Sequence, residues 1–69
     1  MVEVFKTTIE DKGQANEVME RLRFHMPKAN ISIDLEDCDK VLRIEGNSIS
    51  TDVVFSVFND LSHGCKQLL

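Results

Sequence analysis

Three side chains of this sequence have the chemistry to hold a soft metal ion: Cys38, His63 and Cys65. Thiolate and imidazole are donors that suit Zn(II) or Cu(I). Cys38 stands in the middle of Asp34-Leu-Glu-Asp-Cys-Asp-Lys-Val-Leu-Arg-Ile-Glu-Gly46, an acidic stretch between two apolar runs. Cys65 follows His63 and Gly64 near the C-terminus. Each residue also has a plainer reading. Cys38 can be an incidental turn residue, and Cys65 can start a strand and pack as a small hydrophobe. His63 can sit at a helix C-terminus and complement its dipole. The spacing of the three matches no strong motif. His25, beside Met26 and Pro27, reads as a helix-end residue, and Met19 and Met26 read as core.

The elements that position these residues follow from apolar periodicity. Residues 2–9, VEVFKTTI, alternate and are β-branched or aromatic, which predicts a strand with Phe5, Thr7 and Ile9 facing the core. Residues 12–26 switch to helical spacing, with Ala15, Val18, Met19, Leu22 and Met26 on one stripe. Asp11 and Gln14 form a capping-box pattern at its start, and Pro27 ends it. Residues 30–35 and 40–45 predict two strands joined by the polar link EDCD, a hairpin. Ser50 or Thr51 caps a second helix with Val54, Val57, Phe58 and Leu61 on its stripe and Val53 and Phe55 flanking it. Gly64 is placed as a left-handed C-cap, and CKQLL, residues 65–69, predicts a short edge strand.

The order β-α-β-β-α-β, with one apolar stripe per helix, predicts an α+β ferredoxin-like two-layer sandwich. Two helices cover one face of an antiparallel four-stranded sheet, in a single domain over residues 1–69. In that topology three connections meet at one end: Glu10–Gly13, Glu36–Asp39 and His63–Cys65. The two thiols are expected there. The other face of the sheet is expected to be uncovered, with Val4, Val41 and Arg43 on it, a surface for a protein partner or for self-association.

Residues FKTTI, a helix carrying V-M-E-R-L, the ISIDLEDCDKVLRIEG hairpin and a second helix ending in HGC resemble the heavy-metal-associated domains, in particular their small copper-chaperone-like members. The resemblance spans essentially the whole chain. It implies a non-enzymatic metallochaperone-like domain whose metal end is the loop end just described. The family carries Cys-x-x-Cys in the first loop and the start of the first helix. The nearest equivalents here are Asp11 and Gln14, which keep the spacing but offer hard oxygen donors, poor for Cu(I). The resemblance thus implies metal binding that is weak, relocated to Cys38, Cys65 and His63, or absent. The alternative is an interaction or regulatory module of the same fold with no metal role.

Composition narrows the classes further. The net charge is -4 at pH 7 and the four aromatics are all Phe, which argues against a nucleic-acid partner. No apolar run reaches the roughly 20 residues that span a bilayer. The N-terminus lacks a signal-peptide pattern, and two cysteines make no disulfide framework, so a cytoplasmic protein is expected. No nucleophile–base pair, phosphate-binding glycine loop or paired catalytic carboxylates stand out. The first loop, TIEDKG, carries acids where an acyl-phosphate enzyme of this fold would need an anion-binding arginine.

Overall fold

A computed structural model describes residues 1–68. The element order is β1 (Val2–Thr7), α1 (Lys12–His25), β2 (Asn30–Asp34), β3 (Val41–Glu45), α2 (Thr51–Asp60) and β4 (Cys65–Leu68). The strands form one antiparallel sheet in the order β2-β3-β1-β4. This is the ferredoxin-like α+β sandwich expected from the sequence. Leu69, the last residue of the expected tail strand, lies outside the described residues.

Alternation along β1 decides the two faces. Phe5 and Thr7 are buried, while Lys6 and Val2 are exposed. Phe5 stands opposite Leu42 of β3. Together with Ile44 and Ile31 these residues form the floor of the core. Ala15, Val18, Leu22 and Met26 of the first helical stripe close over that floor, joined by Val54, Val57 and Phe58 of α2. Phe5, Leu22, Leu42, Ile44, Val18 and Val54 are fully buried. At roughly 1.5–3 kcal/mol for each fully buried large apolar side chain, this layer supplies most of the driving force for folding.

The helix ends are built as local chemistry requires. The Asp11 carboxylate accepts a hydrogen bond from the Gln14 N–H at 2.9 Å. The Gln14 side-chain oxygen returns one, accepting from the Glu10 N–H at 2.8 Å. The box therefore closes on the residue before the cap rather than on the cap itself. Ser50 caps α2 by accepting from the Val53 N–H.

Several boundaries differ from expectation; α1 and β2 each stop one residue early, at His25 and Asp34. β1 ends at Thr7, because the N–H groups of Thr7 and Thr8 turn away to Asp39 and Gly64. β3 begins at Val41, because Lys40 takes a left-handed φ of 49° to close the hairpin turn. The left-handed residue after α2 is Ser62, at φ 61°, and not Gly64. The Ser62 N–H donates to the Asn59 carbonyl and the His63 N–H donates to the Phe58 carbonyl, the paired bonds of a Schellman ending. His63 therefore lies beyond α2 rather than in its last turn. Gly64 is needed for proximity: a Cβ there would meet the Thr8 methyl carbon at 3.2 Å.

Candidate functional site

The three connections do meet at one end, and the last residues of β1 tie them together. The Thr7 N–H donates to the Asp39 carbonyl at 3.0 Å, and the Thr7 hydroxyl donates to the Lys40 carbonyl at 2.6 Å. These bonds hold the β2–β3 turn. One residue on, the Thr8 N–H donates to the Gly64 carbonyl at 3.0 Å. The Thr8 hydroxyl accepts from the Gly64 N–H at 2.8 Å. These hold the α2–β4 connection. The Thr7 hydroxyl also accepts from the Ile9 N–H at 3.3 Å, so it shapes the start of the third connection. Thr7 is only 6% exposed, and its hydroxyl is fully used. Sequence reading counted Thr7 as a core position and gave Thr8 no role. The only signal for both was a pair of hydroxyl-bearing β-branched residues where a strand runs out.

The acidic turn around Cys38 is explained by its own backbone. The Asp34 carboxylate accepts from the Glu36 N–H at 3.0 Å, and the Asp37 carboxylate accepts from the Asp39 N–H at 2.8 Å. Both are turns in which a short acid satisfies the N–H two residues ahead. The Lys40 N–H donates to the Asp37 carbonyl, and the Lys40 ammonium donates to the Leu35 carbonyl at 2.8 Å. Asp39 also lies 3.6 Å from the Lys6 ammonium, an exposed ion pair of small energetic value.

Cys38 is exposed and flanked by these carboxylates. Among the described residues, the potential metal donors that gather are Asp37, Cys38 and Asp39, within 4.8 Å of one another. Cys65 and His63 are outside that group. The topology gives the reason. β3 and β4 flank β1 on opposite sides, so about 10 Å of sheet separates the strands that lead to the two cysteines. Cys65 stands opposite Thr7 in the β1–β4 ladder and packs half-buried against the core. Burial pushes its thiol up to about 11 from an ordinary 9.0, because the thiolate would lose hydration there. Near neutral pH Cys65 is a protonated thiol, whereas metal binding needs the thiolate.

The donors present are a poor match to Cu(I). The gathered group offers one sulfur and two hard oxygens. One carboxylate is occupied by a backbone N–H and the other lies beside Lys6. Such a set suits a weakly held Zn(II) better than Cu(I). Asp11 and Gln14, at the first-loop positions, are engaged in capping α1.

The opposite end of the molecule differs. A groove of about 600 Å³ lies between the α1–β2 and β3–α2 connections, with His25, Pro27, Ala29, Glu45 and Asn47 among its lining residues. Beside it Phe24 is 82% exposed, its ring edge-on to His25.

No protein-family model matches the chain, and no curated protein matches it in sequence. Solved structures do match. The yeast copper transporter domain Ccc2A, determined in apo and Cu(I)-loaded states, superposes with a TM-score of 0.81 at 14% identity, over 99% of this chain and 94% of that one. A structure from work on crosstalk between Cu(I) and Zn(II) homeostasis superposes with a TM-score of 0.71, also at 14% identity, over 96% of this chain and 98% of that one. With so little identity the likeness is one of architecture: this chain has the ferredoxin-like fold of the yeast copper transporter domain over nearly its whole length.

Proposed function

We propose that this chain is a small, non-enzymatic metallochaperone-like domain that works in the cytoplasm through protein contacts, with the standard soft-metal motif replaced and metal binding reduced to a weak residual affinity. The observation that carries this reading is the hydrogen-bonded cap formed by Asp11 and Gln14. The resemblance to heavy-metal-associated domains would put a thiolate pair near Asp11 and Gln14, and in this chain both side chains are engaged in capping α1. Their donors are hard and already engaged. A protonated Cys65 and an Asp37–Cys38–Asp39 turn that satisfies its own backbone support the same conclusion. In this reading, contacts are made by surfaces such as the sheet face of Val4, Val41 and Arg43, which the helices leave uncovered.

Amide correlation NMR of the reduced protein, titrated separately with Cu(I) and Zn(II), tests the proposal. The expected result is no saturating change at one equivalent of Cu(I). With Zn(II), shifts confined to Asp37–Asp39 should grow only at large excess and weaken in Cys38→Ser. Stoichiometric Cu(I) shifts at Cys38 and His63–Cys65, abolished in Cys38→Ser/Cys65→Ser, would replace the proposal with a relocated soft-metal site.

A further inference from the structure

We draw no further inference here: the strongest candidate, the groove of about 600 Å³ between the α1–β2 and β3–α2 connections with the exposed Phe24 beside it, sets His25 and Lys28 against Glu45 along its lining, and nothing in the structure shows what covers it.

Discussion

The two ends of this sandwich are built on different terms. At the loop end, two consecutive threonines of β1 hold both neighbouring connections by main-chain and hydroxyl bonds, and the acids of the hairpin turn satisfy their own backbone. At the opposite end the Ala29 N–H donates to the Met26 carbonyl and the Gly46 N–H to the Met1 carbonyl, and an open groove remains between the connections. The loop end is thus stitched together, with much of its backbone bonded to its own side chains and neighbouring connections. Capture of an ion there has to compete with bonds the chain already makes.

If the threonine seam holds the loop end, removing its buried hydroxyl should produce the largest change. Thr7→Val keeps the shape and deletes both hydroxyl bonds. The buried Ile9 N–H and the part-buried Lys40 carbonyl then each lose a partner. A loss of about 2–3 kcal/mol is expected from urea denaturation followed by circular dichroism. A loss below about 0.5 kcal/mol would mean that water replaces the hydroxyl and the seam is looser than it looks.

The raised thiol of Cys65 gives this end a pH dependence. The folded-state value, about 11, exceeds the unfolded 9.0, so the folded protein holds the proton more tightly. The contribution is fully present below about pH 9 and is lost as the pH rises through about 11. After allowance for partial solvent screening, this amounts to about 1–2 kcal/mol. Cys65→Ala should therefore lose less stability between pH 9 and 11 than the parent protein. Parallel profiles for the two would show that the thiol is better hydrated than its burial implies.

Sequence pattern revealed the layers of this molecule but not its joints. Periodicity placed both helical stripes and all four strands, because burial of Phe5, Leu22, Leu42 and Val54 is what the alternation encodes. The Asp11–Gln14 cap was legible because capping chemistry is local. The seam was not, since Thr7 and Lys40 are 33 positions apart and nothing local marks their bond. Gly64 was assigned a left-handed conformation on residue type alone. The structure gives that φ to Ser62, and holds Gly64 close to Thr8 instead. The gathering of Asp37, Cys38 and Asp39 was visible as three adjacent letters. The interposition of β1 between Cys38 and Cys65 emerged only when strand order was laid out.

Ser62 offers a gain rather than a loss. A serine at φ 61° carries the steric cost of the left-handed region, about 1 kcal/mol, which glycine avoids. Ser62→Gly should raise stability by about 0.5–1 kcal/mol and leave the Schellman bonds in place, as amide exchange at Ser62 and His63 would report. A loss of stability would mean that the serine side chain holds this ending in a way its backbone angle does not show.

The smallest effect separates the two ends most directly, because the same substitution should change sign between them. Glycine to alanine lowers unfolded-state entropy and stabilises by about 0.4–1 kcal/mol where the native conformation accepts a methyl. At Gly46 the new Cβ would lie 3.5 Å from Ala29, an ordinary contact beside the open groove, and φ is not left-handed. Gly46→Ala should therefore stabilise by about 0.5 kcal/mol. At Gly64 the new Cβ would lie 3.2 Å from the Thr8 methyl carbon, and Thr8 cannot readily rotate away because its hydroxyl accepts from the Gly64 N–H. Gly64→Ala should therefore destabilise by about 0.5–1 kcal/mol, in the range expected for overpacking. Urea midpoints for the two variants, measured side by side, read the sign. Opposite signs mean that the loop end is tight and the far end has room. A stabilised Gly64→Ala would show that the threonine seam yields, and with it the case that this end is too well stitched to open around an ion.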